Sequence, residues 1–197
     1  MGIARNIARL IPNGSGLLPN ANIEAVAATK LTGIVPDANA PSGSVIQVVQ
    51  TIKTDAFSAT GNGGVTPYEV TGLSVTITPS STSSKILLIA EVFMGLADFN
   101  NTNYYWNISR GSTAIGIGTV GTQRFAGGHN MYLSGGSIPF AAGNAKLVLD
   151  SPATTSATTY KIFIGAADSN ATLYINRRGN TTNDSGVSSI TAMEIAA

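Results

Sequence analysis

One histidine, no cysteine and ten carboxylates are what the sequence offers for acid–base, nucleophilic or metal chemistry. His129 lies in "AGGHNMYL". A Ser-His-Asp relay would have to use it, and no G-x-S-x-G elbow presents a serine to it. One histidine cannot form a histidine metal cluster. Without cysteine there is no thiolate zinc site, no disulfide and no thiol nucleophile. The Asp and Glu residues are spread singly, so a carboxylate pair for glycoside hydrolysis could form only through the fold. "GIGTVG" at Gly116–Gly121 fits G-x-G-x-x-G. A dinucleotide site also needs a helix opening at the third glycine, so that its N-terminus meets the pyrophosphate. The residues that follow, "TQRFAGGHNMYLSGGS", have no helical period and read as strand and loop. The residues imply a non-enzymatic chain with no cofactor and no metal.

Two stretches carry residue types suited to recognition. "ADFNNTNYYWNISR" (Ala97–Arg110) joins amides to aromatics. On a strand, Tyr104 and Trp106 share one face and Tyr105 takes the other. Aromatic rings stack on sugar faces, and Asn100, Asn101 and Asn103 can donate to and accept from hydroxyls. Two placements are open: an exposed glycan platform, or a hairpin whose aromatics enter the core, the usual fate of a lone Trp in a sandwich. "NRRGNTTNDSG" (Asn176–Gly186) is the second stretch, where Arg177 and Arg178 could meet an anionic glycan or a neighbouring subunit.

These candidates need a framework, and composition bounds it. Leu, Ile, Val and Phe make up about a quarter of the 197 residues, enough for a core. Charged residues are only 11%, and Ser, Thr, Asn and Gly supply the polarity instead. Net charge is +1 and the Lys and Arg are scattered, so no clustered basic face for nucleic acid is visible. No apolar run reaches the ~18 residues of a membrane-spanning helix. No uninterrupted apolar stretch of the secretory type follows Arg5, and Asn6 stands where a myristoylation signal has Ser or Thr.

Residues 44–197 read as short strands separated by turns. "LSVTITP" (Leu73–Pro79) alternates apolar and polar residues, as a half-buried strand does. "KILLIAEVFMG" (Lys85–Gly95) is continuously apolar, which predicts a strand covered on both faces. "SVIQVVQTIKT", "YYWNISR", "TAIGIG", "KLVLD", "YKIFIGA", "TLYINR" and "SSITAMEIA" complete the series. "TGNGG", "PSSTSS", "DFNNTN", "SPATTSATT" and "RRGNTTNDSG" punctuate it with turn chemistry. The pattern predicts an all-β, antiparallel sandwich, with the jelly roll the favoured variant.

Residues 1–43 differ. "MGIARNIARLIP" sets Ile3, Ile7, Leu10 and Ile11 on one stripe, which predicts a short amphipathic helix ending before Pro12. Ile23, Val26, Leu31, Ile34 and Val35 follow in a stretch broken by Gly and Pro. Such a segment can fold back on the domain, wrap a neighbouring subunit, or twine with copies of itself.

"AATKLTGIVPDANAPSGSVIQVVQ" at one end and "SGVSSITAMEIAA" at the other, around a Ser/Thr-rich β region, resemble bacteriophage tail-fibre and related virion fibre proteins. Lys30, Leu31, Thr32, Gly33, Val35 and Pro36 match a stalk element of that group, in which three chains wrap a common axis. The resemblance implies a homotrimer with an N-terminal attachment arm and short stalk at 1–43 and a β-sandwich head at 44–197. It implies a virion location, with assembly in the host cytoplasm and exposure on the particle surface. Its partners would be further copies of itself, other virion proteins through the arm, and a host cell-surface glycan or protein, with neither nucleic acid nor membrane insertion. A capsid decoration or head-fibre protein is the alternative role. In the stalk, Leu31, Ile34 and Val35 of three chains would bury on the order of 15–25 kcal/mol of apolar transfer free energy before ordering entropy is subtracted.

Overall fold

The structure is a computed structural model that describes residues 40–61, 63, 66–97, 102–118, 129–133, 140–179 and 184–197. The predicted helix and stalk element, with Ile3, Ile7, Leu10, Ile11, Leu31, Ile34 and Val35, lie outside the described residues. So do Asn100 and Asn101.

Among the described residues every regular element is a strand. They run β1 (Val45–Lys53), β2 (Phe57–Thr60), β3 (Tyr68–Ile77), β4 (Lys85–Leu96), β5 (Thr102–Arg110), β6 (Thr113–Ile115), β7 (His129–Leu133), β8 (Phe140–Asp150), β9 (Thr158–Ala166), β10 (Thr172–Ile175) and β11 (Ser188–Ile195). β2 and β7 fall where the sequence gives only turn-like or Gly-rich signals. β8 begins at Phe140, six residues before the apolar run that predicts it.

The strands form two antiparallel sheets. In sheet A, β4 is the central strand. β8 pairs along one edge of it, and β10 and β11 share the other edge end to end. β1 continues outward from β11 and β2 from β10. In sheet B the order is β3, β9, β5, with β6 and β7 sharing the far edge of β5. Merging the split strands leaves four positions per sheet. First pairs with last (β1·β11), second with seventh (β3·β9), third with sixth (β4·β8), and fourth with fifth (β5·β6/β7). This nested pairing is a long hairpin rolled into a sandwich, the jelly roll predicted from the strand rhythm.

The core lies between the sheets. β4 supplies Ile86, Leu88, Ala90, Val92, Met94 and Leu96, and β11 adds Ile190 and Ala192. Facing them are Leu73, Val75 and Ile77 of β3, Tyr104, Trp106 and Ile108 of β5, and Tyr160, Ile162 and Ile164 of β9. Each set is spaced by two, as the pleat requires. β3 breaks that spacing once, since Val70 and Leu73 are both buried although three apart. The ladder to β9 shifts between Glu69 and Ser74, and Gly72 sits there at φ +82°. Five steps on β3 here stand against two on β9, and this odd excess of three residues returns both side chains to the inner face; the left-handed backbone at Gly72 favours glycine.

One expectation is corrected. β4 is not covered on both faces. Its inner residues are fully buried, but Leu87, Ile89 and Phe93 are only half-buried and Lys85 and Glu91 are exposed. The apolar run from Ile86 to Ala90 records the chemistry of both faces, not the presence of a layer on each.

Candidate interaction surface

The aromatic stretch chosen from sequence folds as β5, in the middle of sheet B. Tyr104 and Trp106 share a face, as their spacing dictates, and that face is the core: both are fully buried. Neither is an exposed stacking platform. β5 has neighbours on both edges, and its inner-face residues Tyr104, Trp106 and Ile108 all belong to the buried core. Its outer face is covered too. Tyr105, Asn107 and Ser109 are buried, burial raises the Tyr105 phenol above its ordinary pKa, and Ser109 Oγ donates to Asn107 Oδ1 at 3.2 Å. Gly165, opposite Tyr105, leaves the space its ring occupies; a Cβ there would overlap the ring. Asn103 is half-buried, and its carbonyl accepts from Ala167 N at 2.9 Å. His129 pairs with Trp106 in the β5–β7 ladder.

Arg177 and Arg178 begin an excursion between β10 and β11. Asn176 is its pivot. This residue is buried at φ +62°, a region Asn tolerates better than most side chains. Its Nδ2 donates to Lys53 O at 2.7 Å and Asp55 O at 3.1 Å, while its Oδ1 accepts from Ser188 Oγ at 2.7 Å. Its backbone N donates to Phe93 O at 2.9 Å, and Phe93 N donates to Ser188 Oγ at 2.9 Å. One side chain therefore closes the gap between β10 and β11 and the gap between β1 and β2. Beyond it, Arg177 lies over the Tyr174 ring at 4.4 Å, and Arg178 pairs with Asp184 at 2.9 Å. Both arginines are half-buried, Arg177 against β10 and Arg178 within the excursion.

Polar clusters elsewhere tie the sandwich together. Arg110 Nη1 donates to both carboxylate oxygens of Asp150, at 3.1 and 2.9 Å, and Tyr160 Oη donates to Asp150 Oδ2 at 2.7 Å. This joins the ends of β5 and β9 in sheet B to β8 in sheet A. Burial, then Asp150, pushes the Tyr160 phenol far above its usual range. Glu194 is fully buried, and its carboxylate accepts from Ser80 N at 2.7 Å, Ser80 Oγ at 2.6 Å and Gln47 Nε2 at 2.5 Å. Burial alone would raise its pKa, but these donors outweigh it and hold the group below the ordinary value. A recess of about 480 Å³, lined in part by Ser80, Ser81, Ser83 and Ser84, opens nearby. Among the described residues no group of three or more His, Asp or Glu could hold a metal ion.

Among the described residues, Val48, Ile52, Leu147 and Leu149 are exposed on the outer face of sheet A, and Tyr68, Ile117 and Val187 are exposed elsewhere. Register aligns the face of sheet A in rows. Val48, Met193, Leu87 and Leu149 form one row, and Gln50, Thr191, Ile89 and Leu147 the next. Ile52, Ser189, Glu91 and Ala145 make a third. Val48 is 55% exposed, Ile52 58%, Leu147 64% and Leu149 56%. The first row is apolar throughout, and Gln50, Thr191, Ser189 and Glu91 interrupt the second and third. The sequence carried its signal in the alternation of "AKLVLD" and the unbroken run of β4. Only the sheet order reveals that these strands lie side by side.

No family model matches the chain, and no curated protein matches it. Among solved structures it is similar to that of the infectious bursal disease virus Gx strain, at 15% identity and TM-score 0.35, over 85% of this chain and 42% of that one. It is similar also to a mutant VP2 protein of that virus in T=1 particles, at 13% identity and TM-score 0.36, over 85% and 41%. A VP2 subviral particle follows at 14% identity and TM-score 0.33, over 85% and 42%. The chain spans less than half the length of each.

Proposed function

We propose that this chain is a non-enzymatic structural protein of a tailed-bacteriophage virion, acting by joining protein surfaces. The observation that carries this reading is the outer face of sheet A. Val48, Leu147 and Leu149 are exposed there and Met193, Leu87 and Ile89 half-buried, and their burial against protein would contribute to assembly. The fold alone specifies no activity. The polar clusters are engaged in holding strands together, which supports a structural role.

Within that reading, the resemblance of residues 28–50 and 188–197 favours a homotrimeric tail fibre whose 44–197 domain contacts the host. With Tyr104 and Trp106 in the core, the host-contact role moves to the excursion that carries Arg177 and Arg178. A capsid decoration or head-fibre role is the second reading, favoured by a broad apolar sheet face suited to lying on other virion proteins. Labelling the chain on intact particles and locating it by electron microscopy tests both. Label at the tail supports the fibre, and label over the shell supports decoration. Its absence from purified particles overturns the virion reading.

A further inference from the structure

We infer that the outer face of sheet A seats the same face of a second copy of this chain, with the two β4 strands antiparallel and Lys85 of each over the partner's Glu91. The inference rests on reading this face as an assembly surface and names what covers it. Along the outside of β4 the order is Lys85, Leu87, Ile89, Glu91, a cation and an anion bracketing two aliphatic residues. Both charges are exposed, and among the described residues neither has an ion-pair partner.

A two-fold axis lying in the interface and perpendicular to β4 brings Lys85 over the partner's Glu91 twice. It sets Leu87 over the partner's Ile89, and Leu149 of β8 over the partner's Leu147. A two-fold axis along β4 would instead put Lys85 over Lys85 and Glu91 over Glu91. Charge therefore selects the antiparallel arrangement, in which the apolar pairs lie on β4 and β8 while Val48 and Met193 meet the partner's Gln50 and Thr191. Such isologous contacts need a self-complementary patch, and this face is one. Packed sheets lie about 10 Å apart with strands about 30° from parallel, within reach of aliphatic side chains from both sides.

Four strands at about 4.8 Å and seven residues at about 3.3 Å make a face of about 19 by 23 Å. Its projected area of about 440 Å² per partner is about half the ~800 Å² of a standard interface, the size of a weak, concentration-dependent pairing.

Light scattering on the full 20.1 kDa chain at micromolar concentration should give an even number of copies: two, or six where the three-chain association also forms. Lys85→Glu and Glu91→Lys should each weaken pairing about tenfold or more, and the double swap should restore it. Leu149→Asp should abolish pairing while the chain stays folded and its melting temperature loses its dependence on concentration, and Leu147→Ser provides a milder variant with the same readout. An association state untouched by all of these overturns the inference, whether residues 1–39 or another virion protein then cover the face. Single-swap losses that the double swap fails to restore overturn the antiparallel geometry that defines it. A chain that does not pair in solution but is found on particles refutes only this inference. Charge-swap rescue by a chain absent from particles refutes only the virion reading.

Discussion

Strand β5 of sheet B and the outer face of sheet A are opposites in chemistry and in environment. β5 carries Tyr, Asn and Ser outward, chemistry suited to water and sugars, and Tyr105, Asn107 and Ser109 are nonetheless buried. The outer face of sheet A carries Val, Leu, Ile and Met, chemistry suited to a core, and much of it faces solvent. Residue type marks where a side chain could be stable. Whether another layer lies over it is a property of the whole fold. In this molecule the recognition-like residues of β5 lie inside the domain, and core-like residues of sheet A remain at its surface.

The sharpest way to break this contrast is Trp106→Ala. As a fully buried ring between the sheets, its loss should cost about 3–5 kcal/mol and lower the melting temperature markedly. An unchanged melting temperature would put Trp106 back on a surface and reverse the assignment of β5.

Asn176→Ala should come next. It removes three side-chain hydrogen bonds and leaves Lys53 O, Asp55 O and Ser188 Oγ short of a partner, at about 2–4 kcal/mol by denaturant unfolding. Asn176→Gly keeps the φ of +62° accessible and loses only the side chain, so it should cost less than Ala. Equal losses in the two variants would show that backbone conformation contributes nothing there.

Glu194 gives a pH test. Its folded pKa is lowered, so the unfolded chain binds the proton more tightly. Its contribution is fully present above the ordinary carboxylate value and is lost as pH falls through the folded one. Glu194→Gln places an amide NH2 among the donors of Gln47 and Ser80 and should cost about 1–3 kcal/mol at neutral pH. The difference between wild type and variant should shrink in acid. A difference independent of pH would contradict the lowered pKa.

The smallest effect on stability belongs to the outer face of sheet A. Leu147→Ser should change the chain's own unfolding free energy by no more than about 0.5 kcal/mol, because its side chain is 64% exposed. If the variant melts like a core mutant at concentrations where the chain is unpaired, the face is covered within the chain and the contrast with β5 fails.

Much of the fold was legible in the chain because strand signals are local. The alternation of Leu73, Val75 and Ile77, the apolar run of β4, and the Gly-, Asn- and Ser-rich breaks are read within ten residues. They sufficed to predict an all-β sandwich of jelly-roll type. β2 and β7 were missed because they are four and five residues long and owe their pairing to partners distant in sequence, β10 and β5.

The spacing of Tyr104 and Trp106 determined that they share a face, since the pleat repeats every two residues. Nothing local could say whether that face met water or the opposite sheet. Asn176 read as loop chemistry, and only the convergence of β1, β2, β10 and β11 makes its amide the link between four strand ends. The apolar outer face of sheet A is likewise a product of topology. Val48, Leu87, Leu149 and Met193 are scattered over 146 positions of the chain, and nested antiparallel pairing sets them in one row. Sequence determined the period of each strand, because backbone sterics and side-chain alternation act between neighbours. Tertiary structure decided which alternate face was covered, because burial depends on what other strands the rolled hairpin brings against it.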